Sequence, residues 1–173
     1  ADISVDSPSV DVGGDSGEDA VDVAQPDVGL VCGFAPPAPG GECPAICNEG
    51  CTGGICKIGC RADKQCKDAA LECPADFTCQ VNCVGKHGCE GATVNCPDTF
   101  ACSLLCGDDQ SCKGLTFNCR TGTCNIDCLG NNACESVVNC GPQTCTAVCQ
   151  GPAPMGRPTM NCGESCDCRG CAP

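Results

Sequence analysis

Sulfur is the one reactive element this sequence holds in quantity. Of 173 residues, 26 are cysteine, against a single histidine, His87, and no Trp or Tyr. Thiols can bind metal, act as nucleophiles, or pair with one another. Pairing is the reading that the numbers favour, because the total is even and the fraction is far above that of an ordinary globular chain. A reducing compartment is then excluded as the home of the folded protein, and an oxidising one is expected, either extracellular or on the outer cell surface. The run Cys162, Cys166, Cys168 and Cys171 has the density of a metal-thiolate site. Export would oxidise it, so a bridged cap is expected there, with no metal and no cofactor. One histidine gives no base for a nucleophile, and His87 in Lys86-His87-Gly88 reads as an exposed loop residue. Adjacent carboxylates such as Asp108 and Asp109 read as turn formers, since glycoside hydrolysis needs two acids facing each other across a cleft. No enzymatic activity is expected.

The spacing of the cysteines shows what must position them. Turns begin at Cys56, Cys79, Cys102, Cys124 and Cys145, a period of 23, 23, 22 and 21 residues. Three residues separate each of these from Cys60, Cys83, Cys106, Cys128 and Cys149, and five more lead to Cys66, Cys89, Cys112 and Cys134. A further interval of five or six reaches Cys73, Cys96, Cys119 and Cys140. Between the first two cysteines of each turn the middle residue is apolar (Ile58, Val81, Leu104, Ile126, Ala147) and its neighbours are mostly polar. That alternation is a strand with the sulfurs facing inward. A second short strand precedes the fourth cysteine, with Leu71, Val94, Phe117 and Val138 inward. Gly107-Asp108-Asp109 and Pro97-Asp98 supply the corners.

Two strands per turn of about 22 residues define an all-β parallel solenoid, each coil stacked ~4.8 Å on the last. Like residues then form columns. Asn95, Asn118, Asn139 and Asn161 are expected as an outward amide ladder, and Phe77 and Phe100 as an inward stack. Four Phe cannot fill such a tube, so cross-links must supply what burial does not. The expected pairs close the corners, Cys83 with Cys89 and Cys96 with Cys102, with equivalents in the other turns, although spacing alone leaves other pairings open.

The remaining segments depart from the period. Residues 1–31 carry eight acidic side chains, no Lys or Arg and no Cys. They form a leader expected either as a solvated tether or, through the alternation at Ile3, Val5, Val10 and Val12, as a strand donated to a neighbour. Residues 32–55, with Cys32, Cys43, Cys47 and Cys51, read as an N-terminal cap and shortened turn with Ala45 inward. Residues 56–149 are the repeats, and residues 150–173 a Cys-rich C-terminal cap. The acid excess, 22 against 9, and the missing aromatics argue against nucleic acid. No apolar run reaches the ~20 residues of a membrane helix, and no signal segment is visible, so one is expected to have been removed.

An Asp-rich leader ahead of a Cys-rich repeat resembles, in composition, exported proteins of myxobacteria and related bacteria. That resemblance implies secretion, in many relatives with a lipid on an N-terminal cysteine, and it transfers no catalytic residue. Here the first cysteine is Cys32, so a lipid anchor, if there is one, is expected outside this sequence. Disulfide-stapled solenoids with flat Thr arrays also resemble insect antifreeze proteins, and Thr78, Thr93, Thr116, Thr123, Thr144 and Thr146 carry that likeness. Ala101, Ser103, Leu105 and Asp127 interrupt it. The function expected first is a self-assembling subunit of an extracellular filament or surface layer, stacked head to tail and latched by the leader. A monomeric surface binding module on a flexible stalk is the alternative, and ice binding a lesser one.

Overall fold

The computed structural model describes residues 31–150 and 156–171. The leader positions Ile3, Val5, Val10 and Val12 lie outside them. The described chain is built of strands and turns without a helix. Each coil contributes one longer strand to a seven-stranded sheet and one three-residue strand to a five-stranded sheet. The first sheet holds β1 (Cys51–Thr52), β2 (Ile55–Cys60), β4 (Thr78–Cys83), β6 (Cys102–Cys106), β8 (Cys124–Cys128), β10 (Cys145–Cys149) and β12 (Cys168–Arg169), in that order. The second holds β3 (Ala70–Glu72), β5 (Thr93–Asn95), β7 (Thr116–Asn118), β9 (Val137–Asn139) and β11 (Thr159–Asn161). Every pairing is parallel except β1 with β2. The protein is a disulfide-rich parallel β-solenoid of about five turns.

Register follows the sequence period. Cys56, Cys79, Cys102, Cys124, Cys145 and Cys168 stand above one another. So do Ile58, Val81, Leu104, Ile126 and Ala147, which fill the tube from one wall. From the other wall come Leu71, Val94, Phe117, Val138 and Met160. A one-residue slip would turn these side chains to solvent, so the alternation pins the register. Sulfur fills the corners, and no described cysteine is free. Cys60–Cys66, Cys83–Cys89, Cys106–Cys112 and Cys128–Cys134 close one corner of successive coils. Cys73–Cys79, Cys96–Cys102, Cys119–Cys124, Cys140–Cys145 and Cys162–Cys168 close the other. The Cα separations across all the bridges, 5.2 to 5.9 Å, are those of ordinary disulfides.

Three local expectations differ from the structure. Phe77 is buried, but Phe100, one coil above it, is only half-buried. The five residues between Cys96 and Cys102 form a bend that takes Phe100 towards the surface, where its carbonyl packs on Gly122. Ala45 is exposed, because residues 43–60 fold as a hairpin with β1 antiparallel to β2, bridged by Cys43–Cys51 and Cys47–Cys56. An antiparallel hairpin has no inward position at Ala45, and Cys47 takes the buried place. The stretch 32–55 is also divided. Cys32 is bridged to Cys166, at the opposite end of the rod from the hairpin. Gly33 donates to Gln143 Oε1 at 3.0 Å, while the Gly40 N–H reaches the Asp76 carbonyl at 2.9 Å.

Residues 33–40 are therefore a strap along the outside of the stack. With Pro36, Pro37 and Pro39 in it, an extended run of seven steps spans ~22 Å. Four strand spacings from β10 to β2 need ~19 Å. The strap is anchored at its far end where Gly40 and Gly54, both at positive φ, approach so closely that a Cβ on Gly54 would overlap the Ala38 carbonyl.

Candidate functional site: the groove beside the strap

The outward faces of the coils carry chemistry in columns. On the seven-stranded sheet, the position before the stacked cysteines is held by Thr78, Ala101, Thr123 and Thr144, and the position after them by Gln80, Ser103, Asn125 and Thr146. These two columns, with Gly33 of the strap, line a groove of about 510 Å³. That size is in the range of small-molecule and oligomer sites. Parallel pairing sets its polar groups at one-strand intervals, and the disulfides behind Cys102 and Cys124 make the floor rigid.

Every lining side chain is uncharged, and the cysteines among them are bridged. Hydroxyls and amides can donate and accept hydrogen bonds to a neutral polar ligand. The groups lining the groove are hydroxyls, amides and bridged cysteines, with no carboxylate, imidazole or free thiol among them. Part of its capacity is used internally: Thr146 Oγ1 donates to Asn125 Oδ1 at 3.0 Å, and Asn125 Nδ2 to Asp127 Oδ2 at 3.0 Å. Only one of the four coils, Thr144-Cys145-Thr146, places Thr on both sides of the inward cysteine.

The five-stranded sheet carries the amide ladder. Asn118 Nδ2 donates to Asn95 Oδ1 at 2.7 Å, Asn139 to Asn118 at 2.7 Å and Asn161 to Asn139 at 2.8 Å. Asn95 in turn donates to the Glu72 carboxylate. A carboxylate only accepts, so Glu72 fixes the direction of every bond above it. Arg120 sits beside this end, 3.0 Å from Asp98 and 3.8 Å from Glu72.

Charged groups cluster at the N-terminal end and corners. Glu49, in the hairpin, accepts from the Arg61 guanidinium and from Asn82 Nδ2 at 2.7 Å. The Arg61 hydrogen bond, with help from Asn82 and against a desolvation cost, holds the Glu49 carboxyl below its ordinary range. In the corner turns, Lys67 pairs with Glu90 one coil above at 3.2 Å and lowers its carboxyl likewise, chiefly through the hydrogen bond. His87, expected to be exposed, is only partly so: its Nδ1 is buried 2.8 Å from Glu90 Oε2, a contact that is ionic when the imidazole is protonated.

The structure thus gathers Asn95, Asn118, Asn139 and Asn161 into one ladder and the repeat cysteines into two corner columns. It brings Cys32 and Cys166 together, and Cys149 with Cys171, pairs that no local spacing announces. The groove's strap wall and Gln143 went unread in the sequence; the one available signal was the Pro-rich run between two cysteines. Bridging of all 26 cysteines belongs to an oxidising compartment. No helix of the described residues is long and apolar enough to cross a membrane. Searches of protein families, curated proteins and solved structures find no match to this chain.

Proposed function

We propose that the protein is an extracellular or outer-surface binding module without enzymatic activity. Its rigid rod presents the groove beside the strap to a neutral, hydroxyl-rich polymer, in chemical terms an uncharged glycan chain. The observation that carries this reading is the groove itself: an uncharged, hydrogen-bonding row on a disulfide-backed floor, in a chain of net charge −13. The lining itself offers a charged ligand no counter-ion, Lys57 and Arg169 standing one strand beyond either end of the column from Gln80 to Thr146, whereas a neutral polyol finds donors and acceptors at every coil. The acidic leader then serves as a solvated stalk.

The ends of the rod support a monomer. The seven-stranded sheet overhangs the five-stranded sheet by one strand at each end, β1 at one and β12 at the other. A second copy placed to continue the five-stranded sheet would bring its β1 and β2 onto the level of β10 and β12. Continuing the longer sheet instead leaves a gap of two strands in the shorter one. Glu72 adds a chemical mismatch, because a neighbour's Glu72 placed over Asn161 would set acceptor against acceptor. Overhanging caps and an edge carboxylate are common ways of stopping edge-to-edge growth.

The test is binding of the full-length oxidised chain to an array of neutral and charged glycans, with Ser103→Glu and Thr123→Glu as groove variants. Retention on neutral glycans, weakened at least tenfold by either variant, is expected. Failure to retain any neutral glycan, or retention indifferent to both variants, overturns the reading. Head-to-tail assembly into a filament is the second reading, and one observation favours it. The Cys32–Cys166 bridge makes the leader leave the rod at its C-terminal end, where a following subunit would stand. Sedimentation of the intact chain and of one lacking residues 1–31 separates the two. Monomers in both cases support the stalk, and polymers lost on deletion support the latch.

A further inference from the structure

The bridges at the second corner are stacked closely enough to react with one another. Cys168 of the terminal bridge Cys162–Cys168 has its Sγ 3.9 Å from Cys140 Sγ, which belongs to Cys140–Cys145. Two coils down, Cys124 Sγ of Cys119–Cys124 lies 4.0 Å from Cys96 Sγ of Cys96–Cys102. At the far end, the sulfurs of Cys73, Cys79 and Cys102 all lie within 4.8 Å of one another. In each case a cysteine of one coil faces a sulfur of the bridge in the coil below. Between these contacts Cys145 stands in strand register over Cys124 of the Cys119–Cys124 bridge, which continues the column. The middle of this column is sealed: Cys96, Cys102, Cys119, Cys124 and Cys145 are all buried, while both cysteines of the terminal bridge are partly exposed.

We propose that this column is a thiol–disulfide exchange relay, entered at Cys162–Cys168 by an external thiolate of low molecular weight. The incoming thiolate forms a bond to Cys162 Sγ and breaks the Cys162–Cys168 bond, leaving Cys168 as thiolate. Cys168 then attacks Cys140, forming Cys140–Cys168, breaking Cys140–Cys145 and releasing Cys145 as thiolate. Cys145 attacks Cys119 and releases Cys124; Cys124 attacks Cys96 and releases Cys102; Cys102 attacks Cys73 and releases Cys79. Each transfer forms one S–S bond and breaks one, so within the chain nothing is oxidised or reduced overall. The negative charge moves from coil to coil, and bridges within coils become bridges between coils. A thiolate is required at each step, so the relay runs faster as pH rises towards the ordinary thiol pKa of about 8.5.

What the relay provides is access. A bridge buried at Cys96–Cys102 answers to a thiol that touches only the rod's end, and a partner's thiol can become joined to the chain at Cys162. This inference does not depend on the groove or its ligand.

The experiment treats the native, oxidised chain with a limiting amount of glutathione at pH 8. The reaction is quenched at intervals with an alkylating agent, and the labelled cysteines and remaining bridges are mapped by mass spectrometry. Glutathione on Cys162 together with label on Cys145, Cys124, Cys102 or Cys79 is expected, along with the new pairs Cys140–Cys168 and Cys96–Cys124. At pH 5, where both the incoming and the internal thiols are protonated, little label is expected at any position. If at pH 8 label appears only on partners of native bridges, Cys168 with Cys162 and no remote cysteine, the relay is refuted. A Cys162→Ser variant gives a second reading without reductant: its odd thiol is expected to be found over several column positions at pH 8. Confinement of that thiol to Cys168 likewise refutes the proposal.

Discussion

Shortening the amide ladder in its middle is expected to cost about twice as much as shortening it at its end. Asn118 both donates to Asn95 and accepts from Asn139, each at 2.7 Å, so Asn118→Ala removes two hydrogen bonds. Asn161 only donates, to Asn139 at 2.8 Å, and Asn161→Ala removes one. A hydrogen bond of this kind contributes about 0.5–1.5 kcal/mol net, which gives about 2 kcal/mol for Asn118→Ala and about 1 kcal/mol for Asn161→Ala. Asn95 and Asn139 remain within reach of water after the central truncation, which keeps the loss near this value instead of the full penalty for buried polar groups. Asn118→Asp is a sharper probe. It keeps the acceptor for Asn139 but sets a carboxylate against Asn95 Oδ1, recreating in mid-stack the terminus that Glu72 forms at the edge. Guanidinium unfolding of the oxidised chain, followed by far-UV circular dichroism because the chain lacks Trp and Tyr, measures all three. Equal losses for the central and terminal alanine variants would refute the ladder as a chain of additive bonds. An Asn118→Asp variant as stable as the parent would refute its direction.

Four further outcomes follow from particular sites. Ser111 is fully buried with its hydroxyl unpartnered, and the next coil carries Ala133 at the same place, so Ser111→Ala should stabilise the chain by about 1 kcal/mol in the same assay. Gly141→Ala should destabilise by about 3 kcal/mol or fail to fold, because a Cβ there would overlap the backbone carbonyl of Arg120 in the coil below; Gly41→Ala, with open space around it, is the control. The Glu49 carboxyl titrates lower in the fold than in the unfolded chain, so its contribution is present above the unfolded pKa and lost as pH falls through the lower, folded one. Protection of residues 47–60 against hydrogen exchange, taken relative to the intrinsic rate at each pH, should fall on acidification, and Glu49→Gln should remove that dependence. Removing the exposed bridge Cys32–Cys166, of sequence separation 134, should cost about twice as much as removing Cys43–Cys51, of separation 8, in the loop-entropy picture, about 5 against about 2.5 kcal/mol before allowing for the other cross-links; double alanine variants in guanidinium measure the ratio.

The repeats were legible because their information is local. Alternation around Ile58, Val81, Leu104 and Ile126 set which face turns inward, and a corner five or six residues long leaves its two cysteines few other partners. Asn161 joins the ladder across the Pro-rich insertion that precedes it, in a coil that the Cys162–Cys168 bridge closes. What escaped was information carried by pairs far apart in the chain. Cys32 has no spacing relation to Cys166, so the strap, and with it the place of Gly33 in the groove, was invisible. Phe100 shows the limit of column reasoning. It shares a register position with Phe77, but the bend after Cys96 leaves it only half-buried, so a shared sequence position did not guarantee shared burial.

The two classes of bridge act on different parts of the folding problem. A corner bridge of separation 5 or 6 closes a loop that the coil's own turn already brings together, so it stiffens one coil and does little to bind that coil to its neighbours. Stacking between coils rests instead on parallel backbone pairing, the Asn ladder and the inward columns, which are nearest-neighbour terms. A solenoid held in that way alone would fray from its ends inward. The strap changes the boundary condition. By crossing the β2, β4, β6, β8 and β10 levels and fastening at Cys166, it makes opening of the last coil also a displacement of the segment held at Asp76 near the first. Gly33, which begins this segment, also lines the groove and is held there by its bond to Gln143, so the device that couples the ends has one anchor at the site.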